Sequence, residues 1–195
     1  MGHLIPCLGL SPRAWRVLCR AALAAMLLLP LSRAWTEQAV DEDLERRIKA
    51  VFLYRFPEFI NWEPAASAAG GPFVIDVVGG CSIADELRQV ALDHPLLGRS
   101  VEIKQVQDAR TPGAADIVFI CDGQAGHLKQ LIQAAPPKAL IVTESPGALS
   151  EGSVINFVLS DYRVRFEISL DAAKRRGLRL SSRLLDVALA VKQDR

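Results

Sequence analysis

Cysteine and histidine are scarce in this chain of 195 residues, with four of the first and three of the second. There is no Cys-x-x-Cys pair and no His-Glu-x-x-His frame, so neither a zinc knuckle nor a thioredoxin-like redox centre has support, and no metal site is expected. Charge of one sign is lacking too. With 23 basic against 22 acidic side chains, the chain has no basic stripe to meet a phosphate backbone, which argues against a nucleic-acid partner. Proline and glycine do not dominate, and half the residues are hydrophobic, so the composition is that of a globular chain rather than a disordered one. Long apolar runs are missing as well. The longest, Ala21 to Leu31, falls short of the roughly 20 residues that cross a bilayer comfortably.

That short run has a meaning of its own. Arg13, Arg16 and Arg20 precede it and Ser32-Arg33-Ala34 follows, which is the layout of a secretory signal peptide cut after Ala34. An uncleaved anchor or a buried helix is the competing reading. Cys19 lies before the run, not just after it, so a lipoprotein anchor is unsupported. The expected organisation is a signal peptide over residues 1–34 and one exported domain over 35–195. The leader removes four arginines and no acid, leaving a mildly acidic domain. It also removes Cys7 and Cys19, so the domain keeps Cys81 and Cys121. Two thiols in an oxidising compartment read as one candidate disulfide.

Within the domain, Leu44, Ile48, Val51, Phe52, Phe56 and Phe59 predict an amphipathic helix from about 38 to 60, kinked or ended at Pro57. A small-residue surface connection, Pro64 to Pro72, follows. Strands and helices then alternate. Phe73 to Val78 is a strand ended by Gly79-Gly80, and Ser82 is a candidate N-cap for a helix carrying Ile83, Leu87, Val90 and Ala91. Val101 to Val106 is a partly exposed strand, Ile117 to Cys121 a buried one, residues 124–134 a helix, and Leu140 to Thr143 a third buried strand. Buried runs alternating with helices predict parallel strands joined by right-handed crossovers. Val154 to Leu159 and Arg163 to Leu170 are separated by only Ser160-Asp161-Tyr162, which predicts an antiparallel hairpin. Asp171 to Arg176 is a helical turn closed by Gly177, and Ser181 or Ser182 caps a last helix presenting Leu184, Leu185, Ala188 and Val191. The expected fold is α/β: a single-domain sandwich with a mixed, mostly parallel sheet flanked by helices and a C-terminal antiparallel hairpin.

Few constellations point to chemistry. Gly79-Gly80 before a helix invites a phosphate-binding reading, but Gly-Gly-Cys-Ser-Ile-Ala is no Gly-x-Gly-x-x-Gly, so a tight turn is preferred. Ser145, Ser153 and Ser181-Ser182 have no His/Asp pattern beside them. Asp41-Glu42-Asp43 with Glu45, and Lys174-Arg175-Arg176, suit the two ends of helix dipoles and read as solvated charge. Tyr54 and Trp62 read as packing residues. Cys81 and Cys121 are the informative pair. Each follows a strand, and in a doubly wound order those strands are neighbours ending on one sheet edge, within reach of a disulfide. Two free thiols remain the alternative. No catalytic, cofactor or metal residues are assigned, and the partner-binding residues are unknown at this level.

Three sequence blocks carry a resemblance. Lys49-Ala50-Val51-Phe52-Leu53-Tyr54-Arg55-Phe56 running to Ile60-Asn61-Trp62 is similar to the opening signature of the YfiR family. Gly152-Ser153-Val154-Ile155-Asn156-Phe157 resembles its later Gly-x-x-Ile-x-Phe strand. Arg163 to Ile168, Ala172-Ala173, Gly177-Leu178 and Ser181-Ser182-Arg183-Leu184-Leu185 resemble its closing signature. The resemblance spans 49–191. It implies a periplasmic, non-enzymatic α/β regulator, often dimeric. Such a protein binds the periplasmic sensor domain of an inner-membrane diguanylate cyclase and represses cyclic-di-GMP synthesis and biofilm formation. An outer-membrane protein relieves the repression by sequestering it. The chain departs from the pattern in lacking a second cysteine pair in its C-terminal half and in placing Ser169 where Asn is common. The rival expectation is a periplasmic small-ligand sensor binding at the strand edge near Gly79 and Gly80, with an orphan hydrolase third. A convergent polar pocket would favour the sensor, and an exposed apolar patch the repressor.

Overall fold

A computed structural model describes residues 42–62, 71–92, 94–106 and 115–193. The expected signal peptide and residues 64–70 of the small-residue connection lie outside them. Among the described residues, no helix is long and apolar enough to cross a membrane.

The first helix, α1, covers 42–55. Pro57 ends it, as its missing N–H requires, and Phe56–Phe59 continue as a turn of 3-10 helix. The chain then extends into strand β1, Ile60–Trp62, where the sequence pattern had carried the helix to 60. Next come β2 (Phe73–Val78), helix α2 (Ile83–Ala91), β3 (Val101–Val106) and β4 (Ile117–Ile120). A 3-10 segment, Asp122–His127, leads into α3 (Leu128–Ala134), so only the second half of the predicted 124–134 helix is α-helical. Strand β5 (Leu140–Thr143), the short helix α4 (Ala148–Glu151), β6 (Ile155–Ser160) and β7 (Arg163–Ser169) follow. The chain closes with α5 (Leu170–Arg175), β8 (Leu178–Leu180), α6 (Ser182–Val187) and β9 (Ala190–Lys192).

Seven strands form one sheet in the order β3-β2-β4-β5-β6-β7-β9, and β1 pairs with β8 in a separate two-stranded ribbon. Every neighbouring pair in the large sheet is parallel except β6 and β7, whose register runs from Ser160↔Arg163 to Ile155↔Ile168. This is the mixed, mostly parallel α/β sandwich with a late hairpin that the sequence predicts. The hairpin turn holds Asp161 and Tyr162 at φ of 51° and 57°. Both central residues are left-handed, as a two-residue turn matching the strand twist requires.

The sheet is buried on both faces. Phe73, Ile75, Val77, Ile117, Phe119, Leu140 and Val142 share one core with α1, α2 and α6. Val74, Val78, Val118, Ile120 and Ile141 share the other with α3 and α4. Phe52 of α1 and Phe56 of the 3-10 turn after it meet Phe166 of β7 edge-on, at 5.6 and 5.2 Å between ring centres, which fixes the helix across the hairpin.

The last helix differs from its prediction. Ser181 caps α6 by accepting the Leu184 N–H, but the helix stops at Val187, and Val191 lies on β9 rather than on a helical face. The amide of Leu189 donates to the Phe166 carbonyl at 2.8 Å, and β9 then pairs parallel to β7. The open edge of β7 offered these residues backbone partners that outweigh one more helical turn. Ser169 caps α5 through the Ala172 N–H at 3.2 Å, a role Asn fills equally well.

Candidate functional site

The chain runs from β2 through α2 to β3 on one side, then returns to place β4 on the other side of β2. The helices that follow β2 and β4 cover opposite faces of the sheet. The carboxyl ends of β2 and β4 therefore form the topological switch point, the crevice where open α/β sheets bind ligands.

In this chain a disulfide closes that crevice. Cys81 and Cys121 are bonded, with Cα atoms 6.1 Å apart. The register Val78↔Ile120 brings the two strand ends together, and the Cys121 N–H donates to the Val78 carbonyl at 3.1 Å. Gly79 is needed here. Its φ is +105°, and a Cβ on it would sit 3.3 Å from both Cys121 Cβ and Gln124 Cγ. Gly79-Gly80 is thus the tight strand-to-helix turn, packed against the bridge.

Beside the bridge stands a charged trio that the sequence reading took in part for solvated charge. Lys49 Nζ donates to Glu144 Oε2 at 2.7 Å and is also paired with Glu45 one helical turn back. The Lys49 and Glu144 side chains are only 12% and 16% exposed. Glu45 is no free member of an acidic helix start, because α1 turns it onto the same side as Lys49. Burial by itself would lower the Lys49 pKa, but hydrogen bonds to Glu144 and Glu45 outweigh it, and the ammonium is held above its ordinary value. Glu144 Oε1 accepts the Asp122 N–H at 3.2 Å, tying the ends of β4 and β5 together.

These residues line a cavity of about 500 Å³ with Asp122, Asn156, Phe157 and Leu159. Asn156 on its wall belongs to a buried polar link from β5 to β6. The Thr143 hydroxyl donates to Asn156 Oδ1 at 2.7 Å, and the Ser153 hydroxyl lies 2.8 Å from that of Thr143. Ser153 is thus a structural hydroxyl, as are the helix caps Ser169 and Ser181.

Other charged groups brace the sheet ends. At the amino edge Arg99 reaches both carboxylate oxygens of Asp116 at 3.1 Å, while buried Asp116 accepts the Val74 N–H at 2.9 Å. Arg176 corrects the reading of Lys174-Arg175-Arg176 as solvated charge. Its guanidinium is drawn inward, donating to the carbonyls of Ile132 and Pro136 at 2.9 Å, and its pKa is lowered by burial and by Arg175. Tyr54 is a packing residue whose hydroxyl donates to the His94 carbonyl, and Trp62 packs edge-on against Phe73.

One apolar feature is on the outside. Leu44 and Val51 of α1 are 55% and 47% exposed. Their spacing with Ile48 and Phe52 makes a single helical stripe, and Arg47, Ile48, Val51 and Phe52 line a depression of about 300 Å³.

The family described as YfiR/HmsC-like matches residues 46–189. No curated protein matches the chain. Among solved structures, a conserved domain protein from Vibrio cholerae O1 biovar El Tor is similar at 14% identity and a TM-score of 0.48, covering 61% of this chain and 54% of its own. The ABC domain in complex with L-Trp from Streptococcus pneumonia is similar at 12% identity and a TM-score of 0.48, covering 62% of this chain and 55% of its own. The chain therefore spans little more than half the length of either structure.

Proposed function

The chain belongs to the YfiR/HmsC-like family, and on that premise we propose that it is an exported repressor of a membrane diguanylate cyclase. At the level of the family it is a periplasmic regulator. The proposal adds that residues 1–34 are a cleaved signal peptide and that the domain of 35–195 binds the cyclase's periplasmic sensor domain and holds the enzyme inactive. It acts as a homodimer that an outer-membrane partner sequesters. The observation that carries this reading is the family match across nearly the whole domain. The disulfide fits an oxidising compartment.

The physics of the surface supports a binder over a small-ligand sensor. The strand-edge cavity is polar, but its cation Lys49 is already neutralised by Glu45 and Glu144, and an anionic ligand would have to displace one of them. The exposed stripe of α1, by contrast, offers apolar area that an interface can bury without breaking the trio. A protein outside the membrane can inhibit a cytoplasmic active site only by biasing the cyclase between two conformations. Moving that equilibrium from 99:1 to 1:99 takes about 5.5 kcal/mol of differential affinity, within reach of an ordinary interface with a few buried anchors.

Deleting the gene raises cyclic-di-GMP and surface attachment, and a copy lacking residues 1–34 fails to restore them. If deletion leaves cyclic-di-GMP unchanged while the cyclase is expressed, the repressor reading fails and the small-ligand sensor replaces it.

A further inference from the structure

At the switch point Cys81 Sγ, Cys121 Sγ and a carboxylate oxygen of Glu144 all lie within 4.8 Å of one another. We propose that, once the disulfide is reduced, these three side chains bind a thiophilic divalent cation such as zinc.

The ligand set is chemically suited. Two thiolates and one carboxylate are zinc donors, at about 2.3 and 2.0–2.2 Å, and a tetrahedral site needs its sulfurs only about 3.8 Å apart. A fourth position is left for water, since Glu144 opens onto the cavity. The donors have holds besides the bridge itself. Cys121 is fixed by the Val78 carbonyl and Cys81 follows the strand paired with β4. Glu144 is held by the Asp122 N–H and Lys49. Breaking the S–S bond therefore leaves the three groups facing one another.

Electrostatics points the same way. Two thiolates beside Glu144 and Glu45, with Lys49 as the one cation of the trio, would carry excess negative charge. A divalent cation offsets that charge. The chemistry balances as two steps. A dithiol protein of the thioredoxin class attacks Cys81, the less buried of the two residues, and supplies two electrons and two protons. The S–S bond breaks, two S–H groups form, and the donor leaves as a disulfide. The cation then replaces both protons, forming two metal–sulfur bonds and releasing two protons to solvent. The disulfide is the closed state of the site, and reduction is its key.

The sequence gives no sign of this cluster. Its donors come from the ends of three strands, with 40 residues between the cysteines, rather than from a short loop of regular spacing.

The test is calorimetric titration of zinc chloride into the exported protein, cut after Ala34 and so free of Cys7 and Cys19, reduced with a dithiol and desalted without oxygen. One equivalent binds, the heat depends on buffer ionisation as two released protons require, and the oxidised chain binds none. Glu144→Gln weakens binding by at least about 10-fold, and Cys121→Ser abolishes it. Should reduction unfold the chain, zinc restores the native circular dichroism spectrum. A reduced chain that neither binds zinc more tightly than the oxidised one nor refolds with it overturns the proposal. Binding indifferent to Glu144→Gln overturns the three-ligand site.

Discussion

Lys49 on α1 and Glu144 after β5 are 95 residues apart in sequence and 2.7 Å apart in space. The pair joins the first helix to the carboxyl edge of the sheet, where both side chains are largely shielded from water. Removing one partner strands the other charge, so Lys49→Met costs on the order of 2 kcal/mol or more in urea unfolding. Lys49→Met with Glu144→Leu recovers part of that loss, because neither charge is left stranded. The Lys49 pKa is raised in the fold, so its contribution is complete below its unfolded value of 10.5 and is lost as pH climbs through the higher folded value. The double-mutant coupling measured at pH 7 therefore shrinks above that range.

Reduction of the Cys81–Cys121 bridge, without metal, lowers stability. The bond closes a loop with a sequence separation of 40, and the chain-entropy model assigns such a loop about 3–4 kcal/mol. Denaturant unfolding with and without a dithiol reads the difference. Non-reduced peptide mass spectrometry of the protein isolated from its cell should show the linked pair, and two alkylatable thiols in that sample would contradict it.

Phe166→Ala is a folding mutant. Phe166 is 2% exposed and meets the rings of both Phe52 and Phe56 edge-on. Truncation costs about 3–5 kcal/mol, whereas Arg165→Ala, on the opposite side of the same strand, shifts the melting temperature little.

How far the sequence could be read follows from where each residue finds its partners. Phe166 was legible because period-two alternation, Val164, Phe166 and Ile168 against Arg165 and Glu167, records a local geometry. The bridge was legible because buried strands that alternate with helices fix which strand ends are neighbours. Lys49 was not, since its spacing on the helix carries no trace of a carboxylate on a strand far along the chain. Strand β9 was missed for a related reason. Leu184, Leu185, Ala188 and Val191 keep a helical period, and only the open edge of β7, a tertiary fact, turns Ala190–Lys192 into a strand. Ribbon β1–β8 is also non-local, pairing Ile60–Trp62 with Leu178–Leu180. Ser160-Asp161-Tyr162, by contrast, announced its hairpin by brevity alone.

Asp76 gives a prediction whose sign runs against the usual carboxylate. It sits on β2 among buried neighbours, and its Oδ1 is buried with no hydrogen-bond partner among the described residues. Burial raises its pKa above the ordinary 3.8, with Lys104 opposing and Glu102 reinforcing the shift. The folded state thus holds this proton more tightly than the unfolded chain does. Stability from this group is complete below pH 3.8 and falls as pH rises through the folded value. At neutral pH the ionised carboxylate is a burden, and Asp76→Asn, isosteric and uncharged, raises the melting temperature. Below pH 3.8 the carboxyl is protonated in both states, so the gain disappears. Melting curves of the two proteins at pH 7 and pH 3 distinguish this from a general packing effect, which would persist at both. Equal melting temperatures at pH 7 would mean that Asp76 is solvated well enough to ionise without penalty.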